Sequence, residues 1–139
     1  MILFDTSVII DARDKDSPWH EWAKDKIADA VSSGGGAAVN TVVVAEASVR
    51  AFDADAVPAL LAAIGMTLVD LPVSAAIPAA KAYAAYLDRR RALGQSVPDK
   101  TPLPDFLIGA HAHAEGLTLV TRDPGRIRTY FPKVELVVP

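Results

Sequence analysis

The feature that most constrains the fold is a short apolar run at residues 2–4, which Asp5-Thr6-Ser7 ends abruptly. An apolar run of this length, bounded by polar residues, predicts a strand that is buried on both faces. Strands of this kind belong to parallel sheets that helices cover on both sides. We therefore expect an α/β fold in which Asp5 lies at the edge of a buried sheet.

Similar apolar runs recur along the chain and alternate with segments that carry helix signals. Further strands are predicted over residues 37–40, 67–71, 117–121 and 134–138. Helices are predicted to begin at Ser17-Pro18, Thr41, Asp55, Ser74 and Pro104 and to end near residues 34, 52, 65, 93 and 116. The alternation predicts a three-layer α/β/α arrangement around a central, mostly parallel sheet of four or five strands.

Length and composition limit the classes of protein to consider. A chain of 139 residues fits one domain, which we expect to span residues 1–139. Cys is absent, which excludes disulfides, a thiolate nucleophile and Cys-ligated zinc. We find neither a signal peptide nor a run of the ~20 apolar residues that a membrane span needs, and we expect a cytoplasmic protein without membrane contact. The net charge of -3 means that binding to nucleic acid would need local basic patches or bound cations.

Four acidic residues fall where the predicted strands end or the next helices begin. Asp5 follows the first strand and Asp123 follows the fourth. Glu46 lies in the first or second turn of the helix after the second strand, and Asp105 lies in the first turn of the helix that precedes the fourth. Ligands of open α/β sheets bind beyond the carboxyl ends of the strands. We therefore expect the four carboxylates to converge there.

Converging carboxylates repel one another unless they are protonated or bound to cations. Oxygen ligands without Cys or paired His favour Mg²⁺ or Mn²⁺, and one or two such ions suit the hydrolysis of phosphodiesters. Each acid also has a plain structural explanation, because Asp5 and Asp123 suit turns and Asp105 suits a helix N-terminus. Glu46 is harder to explain, since its helix is otherwise largely apolar.

Several segments together resemble the PIN-domain ribonucleases, and a chain of this length is similar to the VapC toxins within that family. The segments are ILFDTSVII at residues 2–10, the helix acid Glu46, LPDFLIGA at residues 103–110 and LVTRD at residues 119–123. Their order and spacing extend over nearly the whole chain. Many relatives have Asn where this chain has Ser7, a difference that leaves the four acids intact.

The resemblance implies a PIN-like fold and a Mg²⁺- or Mn²⁺-dependent endoribonuclease, the toxin of a type II toxin-antitoxin pair. The implied catalytic and metal-binding residues are Asp5, Glu46, Asp105 and Asp123, with Ser7 or Thr121 supporting them by hydrogen bonds. The implied substrate is RNA, with tRNA or rRNA as possible classes. The implied partners are a second copy of the chain and a cognate antitoxin whose C-terminal segment covers the active site.

Other polar residues leave alternatives open. Asp99 and Lys100 lie in the predicted loop at residues 95–103 and contribute either to the site or only to solubility. Arg89-Arg90-Arg91 suits the end of a helix as well as it suits phosphate binding. The basic segment at residues 122–133 carries Tyr130 and Phe131, which are either base-stacking or core residues. His111 and His113 point to different faces of a helix, so they are not expected to bind one metal ion.

Three other functions compete with this one. A PIN-family nuclease outside a toxin-antitoxin pair has the same acids, and a PIN-like binding module would have lost them. A phospho-acceptor receiver domain is also an α/β sheet protein with acids at strand ends. It would need an Asp after the third strand and a Lys after the last, whereas Asp70 lies within the predicted third strand and no Lys ends the fourth.

Overall fold

A parallel sheet lies at the centre of the computed structural model, which describes residues 1–49, 51–98 and 101–139. Its five strands in these residues are β1 Ile2–Phe4, β2 Ala37–Asn40, β3 Met66–Val69, β4 Thr118–Val120 and β5 Leu136–Val137. Leu3 pairs with Ala38 on one side and with Leu119 on the other, and all three are fully buried. The predicted α/β class and the parallel sheet of four or five strands are confirmed.

The order of the strands is β3-β2-β1-β4-β5, so the chain extends the sheet first to one side of β1 and then to the other. The change of direction falls between β1 and β4, and a crevice opens at such a point beyond the carboxyl ends of the strands. A receiver-like sheet has the order 2-1-3-4-5 instead. The observed order therefore argues against the receiver alternative. The placement of Asp70 within the third strand was wrong, because β3 ends at Val69 and Asp70 directly follows it.

Seven α-helices occupy the two faces of the sheet in the described residues. They are α1 Thr6–Arg13, α2 His20–Ser32, α3 Thr41–Val49, α4 Val57–Ala63, α5 Ala76–Ala92, α6 Pro104–Glu115 and α7 Gly125–Tyr130. Short 3-10 turns precede α4 and α5. Helices α1 to α4 pack together, as do α5 to α7. Across residues 1–49, 51–98 and 101–139, no helix is both long and apolar enough to cross a membrane.

Two helices, α1 and α7, were not predicted from the sequence. Helix α1 begins directly after Asp5, whose side chain accepts a hydrogen bond from the Thr6 amide as its N-cap. Helix α7 begins at Gly125 in a segment that the sequence indicated as a turn, and it buries Ile127 against the core. The predicted loop at residues 95–103 includes Asp99 and Lys100, and the two alternatives for these residues lie outside the described residues.

Candidate active site

All four predicted acids line one cavity of about 210 Å³ near the carboxyl ends of β1 and β4. Ser7 and Arg122 line it as well. The acids come from four different parts of the chain: Asp5 from the end of β1, Glu46 from α3, Asp105 from α6 and Asp123 from the segment after β4. The parallel sheet brings them together because its strands end on the same side.

Asp5 is the most completely hydrogen-bonded of the four acids. Its Oδ2 accepts hydrogen bonds from the Ser7 hydroxyl at 2.8 Å and from the Thr121 hydroxyl at 2.7 Å, and its Oδ1 accepts one from the Thr6 amide at 2.8 Å. Burial nevertheless raises the pKa of Asp5 above its ordinary value, and the Asp105 carboxylate raises this pKa further. The three donors partly offset both effects and fix the orientation of the carboxylate.

Glu46 faces Asp5 from the second turn of α3. Its Oε1 accepts a hydrogen bond from the Thr6 hydroxyl at 2.6 Å. Burial raises the pKa of Glu46, the Thr6 hydroxyl lowers it, and the charges of Asp5 and Asp105 raise it again. Asp5, Glu46 and Asp105 are thus close enough to repel one another, although each comes from a different element.

Asp105 lies in the first turn of α6, where the helix dipole favours a carboxylate. It is paired with Arg126 of α7, whose Nη1 lies 2.8 Å from Asp105 Oδ2. This pairing depends on a close approach of α7 to α6 at Gly109. A Cβ added to Gly109 would lie 2.7 Å from Cδ1 of Ile127 and 2.7 Å from Cδ2 of Phe131, so only glycine lets the two helices pack this closely.

Asp123 lies at the rim of the cavity, with 70% of its side chain exposed. The Thr121 hydroxyl accepts a hydrogen bond from the Asp123 amide at 3.1 Å, and Nη2 of Arg122 lies 3.2 Å from Asp123 Oδ2. Arg122 is held in turn by Asp11, whose Oδ1 accepts a hydrogen bond from Arg122 Nη1 at 2.9 Å. Asp11 is buried, so Arg122 joins an internal carboxylate to an exposed one.

Whether these residues suit a metal ion depends on both their chemistry and their positions. The donors are carboxylate oxygens, with hydroxyl groups behind them, and this chemistry fits a hard divalent cation. In the described part of the chain, however, no three acids or histidines come close enough to form a ligand set. Asp105 and Asp123 are turned toward Arg126 and Arg122 instead. The donor chemistry fits the ion, and in the positions shown two of the four acids, Asp105 and Asp123, are paired with arginines.

The structure adds residues that the sequence analysis missed. Thr6 donates from its amide to Asp5 and from its hydroxyl to Glu46. Asn40 at the end of β2 accepts a hydrogen bond from the Val43 amide at 3.1 Å, so Asn40 is the N-cap of α3, the helix predicted to begin at Thr41. The buried Asn40 amide also lies 3.2 Å from Nδ1 of the buried His111, which connects α3 to α6. Asn is a favoured N-cap residue, so the sequence carried this signal. The pairing with His111 had no signal, because it depends on tertiary packing.

Comparisons with known proteins agree with this architecture. The model of the PIN domain family matches residues 2–132. No curated protein matches the sequence. Solved structures do match in fold, and the three described next each cover nearly the full chain.

DNA-bound VapBC from Salmonella typhimurium has a TM-score of 0.63 at 16% identity, covering 99% of this chain and 98% of that chain. FitAcB from Neisseria gonorrhoeae has a TM-score of 0.58 at 20% identity, covering 98% of this chain and 96% of that chain. A toxin-antitoxin complex from Klebsiella pneumoniae has a TM-score of 0.54 at 19% identity, covering 99% of this chain and 96% of that chain. At these identities the likeness concerns the fold.

Proposed function

The chain belongs to the PIN domain family, and from this premise we propose that it is a metal-dependent endoribonuclease, the toxin of a type II toxin-antitoxin pair. Residues 1–139 would form one PIN-like nuclease domain. The single observation that carries the proposal is the cavity lined by Asp5, Glu46, Asp105 and Asp123. We propose RNA of the tRNA or rRNA class as its substrate. The reaction would take place in the cytoplasm, the compartment expected from the sequence.

We assign the binding of Mg²⁺ or Mn²⁺ to the same four acids, with Ser7 and Thr121 in support. Bound there, the ion would neutralise phosphate charge and activate a water molecule. The protein's own part is to hold the carboxylates in place. The hydroxyls of Thr6, Ser7 and Thr121 orient Asp5 and Glu46 without adding charge. Arg122 lines the cavity and can attract the phosphate of a bound strand.

An apolar groove of about 830 Å³ beside α1, α2 and α4 supports an antitoxin as the partner. Its lining is mainly aliphatic, with Arg13, Lys15 and Lys24 among the lining residues. An amphipathic segment with acidic residues would complement both the apolar lining and the basic side chains. We therefore propose an acidic, amphipathic segment of the antitoxin as the occupant of this groove.

The groove is connected to the candidate active site. A neighbouring depression of about 490 Å³ shares Arg13 and Ala47 with the groove and shares Thr6, Ile10 and Glu46 with the acidic cavity. A segment seated in the groove can therefore continue toward the four acids. This continuity supports the proposal that the C-terminal segment of the antitoxin covers the active site.

The function is tested by incubating the purified chain with a single-stranded RNA and with DNA of the same sequence. We expect cleavage of the RNA in Mg²⁺ or Mn²⁺ and none in excess chelator. Equal cleavage in chelator would refute the metal dependence, and cleavage of DNA alone would refute the substrate.

A PIN nuclease outside a toxin-antitoxin pair would cleave RNA without an antitoxin encoded beside its gene. Sedimentation of the pure chain tests the proposed homodimer.

The partner is tested with a matched pair of exposed residues. Leu60 lines the groove and Ile77 lies on α5 outside it, and each is 63% exposed. Leu60→Glu should weaken copurification with the antitoxin at least roughly tenfold, because a carboxylate in an apolar contact is costly. Ile77→Glu should leave copurification unchanged. Equal effects of the two variants would place the antitoxin elsewhere.

A further inference from the structure

A second cleft, of about 290 Å³, lies between the end of α5 and α7, and we call it the arginine-tyrosine cleft. The residues that define it are Tyr86, Arg89 and Arg90 of α5 and Arg126, Thr129 and Tyr130 of α7. Guanidinium groups and phenol rings thus share one lining. The four acids of the candidate active site do not line this cleft.

Four side chains of the cleft, those of Tyr86, Arg90, Arg126 and Tyr130, are held in place before any ligand binds. The guanidinium carbons of Arg90 and Arg126 lie 5.7 and 5.3 Å from the centroid of the Tyr86 ring. Arg90 also donates from Nε to the Ser96 carbonyl at 2.6 Å. The Tyr130 ring meets the Tyr86 ring edge to face, at 6.0 Å between centroids. Ordered side chains lose less entropy when a ligand binds, so this part of the cleft is preorganised.

The charge of the cleft is not balanced within the described residues. Arg126 is paired with Asp105, whereas Arg89 and Arg90 have no carboxylate partner in residues 1–49, 51–98 and 101–139. The neighbouring Arg91, by contrast, is paired with Asp88 at 3.1 Å and does not line the cleft. Two guanidinium groups without a carboxylate partner in those ranges, beside two partly exposed rings, favour a ligand that carries both negative charge and flat aromatic surfaces.

Arg126 connects the cleft to the candidate active site, because the same guanidinium contacts Asp105 of the acidic cavity and the Tyr86 ring of the cleft. A strand whose reacting phosphate lies in the cavity can therefore place a second phosphate at the cleft. Single-stranded nucleic acids alternate phosphates with bases that stack on aromatic rings. An acidic peptide would use the arginines but not the rings.

We propose that the arginine-tyrosine cleft binds a single-stranded RNA segment at a phosphate remote from the cleaved one, with Arg89 and Arg90 on the phosphate and Tyr86 and Tyr130 against a base. The proposal rests on the proposed function, since it gives the RNA substrate of that nuclease a second contact on the protein. It assigns Arg89 to substrate binding rather than to the chemical step.

The experiment compares Arg89→Gln with Arg91→Gln, which removes the same charge from the same helix end outside the cleft. RNA binding is measured in excess chelator, where no cleavage is expected, over a range of salt concentrations. Arg89→Gln should reduce the slope of log affinity against log salt by about 0.7, the value for one phosphate contact on a single strand. Arg89→Lys should restore the slope, and Arg91→Gln should keep the slope of the unmodified chain.

Cleavage then gives a second measurement. For a long unstructured RNA, Arg89→Gln should raise KM several-fold with little change in kcat, and for a dinucleotide it should change neither constant. Equal effects of Arg89→Gln and Arg91→Gln would overturn the cleft proposal. So would an Arg89→Gln variant that loses antitoxin binding while its affinity for RNA keeps the salt dependence of the unmodified chain. Failure of the unmodified chain to cleave any RNA would overturn the proposed function instead, and the binding measured in chelator would still decide the role of the cleft.

Discussion

The candidate active site has two unlike halves. Asp5 and Glu46 form an inner half, where neutral hydroxyl and amide donors hold each carboxylate and burial raises both pKa values. Asp105 and Asp123 form an outer half, where each carboxylate is 50% or more exposed and paired with an arginine. The outer acids therefore have arginine counter-ions, whereas the described hydrogen bonds to the inner acids come only from uncharged donors.

This difference indicates separate roles for the two halves. A cation bound in the cavity, as proposed, would reduce the repulsion between Asp5 and Glu46, whose hydrogen bonds come from uncharged groups. At Asp105 and Asp123 the same cation would compete with Arg126 and Arg122. If the ion binds as proposed, we expect the inner half to supply most of the attraction and the arginines of the outer half to lower the affinity.

The largest effect should come from Asp5→Asn compared with Asp123→Asn. Asp5→Asn should lower RNA cleavage in Mg²⁺ by at least about 100-fold, because it removes one of the two carboxylates of the inner half. Asp123→Asn, at the exposed rim, should lower cleavage by about 10-fold. The rate constants are measured at saturating Mg²⁺, and circular dichroism checks that both variants fold. Equal losses would show that the two halves do not differ.

Much of this site was predictable because it depends on the backbone. Short apolar strands, each followed by a polar residue, predict a parallel sheet. The carboxyl ends of such strands lie at one edge of the sheet independently of side-chain packing. The convergence of Asp5, Glu46, Asp105 and Asp123 therefore follows from the order of strands and acids along the chain. Their role in catalysis and metal binding stays a prediction.

The arginine partners of the outer half were not predictable in the same way. The pairing of Arg126 with Asp105 requires α7, a helix of six residues that begins at a glycine after a proline and gives little sequence signal. It also requires the close packing at Gly109 of α6, which depends on the side chains of Ile127 and Phe131, in and directly after α7. A pattern along the chain specifies which residues reach an edge of the sheet, but it does not specify which side chains pair there.

A smaller effect should follow from Arg126→Gln, which frees Asp105 from its counter-ion. We expect Mn²⁺ to bind more tightly, by up to about 5-fold, because a half-exposed ion pair contributes at most ~1 kcal/mol. Titration calorimetry of the RNA-free protein measures the affinity. Arg128→Gln removes the same charge from the same helix, and Arg128 has no carboxylate partner within the described ranges. Equal affinities in the two variants would mean that Arg126 does not compete with the ion.

The smallest effect concerns the stability of the metal-free protein in Glu46→Gln. Because burial raises the pKa of Glu46 in the folded state, the folded protein holds this proton more tightly than the unfolded chain does. The resulting stabilisation is complete below the ordinary pKa of a glutamate and is lost as the pH rises through the raised value. At neutral pH in chelator, Glu46→Gln should therefore raise Tm by about 2 °C, a modest shift for a partly exposed group, and the difference should vanish under acidic conditions.

Glu21→Gln, on the exposed face of α2, serves as the control. Saturating Mn²⁺ should reverse the order, because the ion stabilises only a protein that binds it. A Tm for Glu46→Gln that stays below that of the unmodified protein in chelator at every pH would show that repulsion in the inner half is too weak to matter.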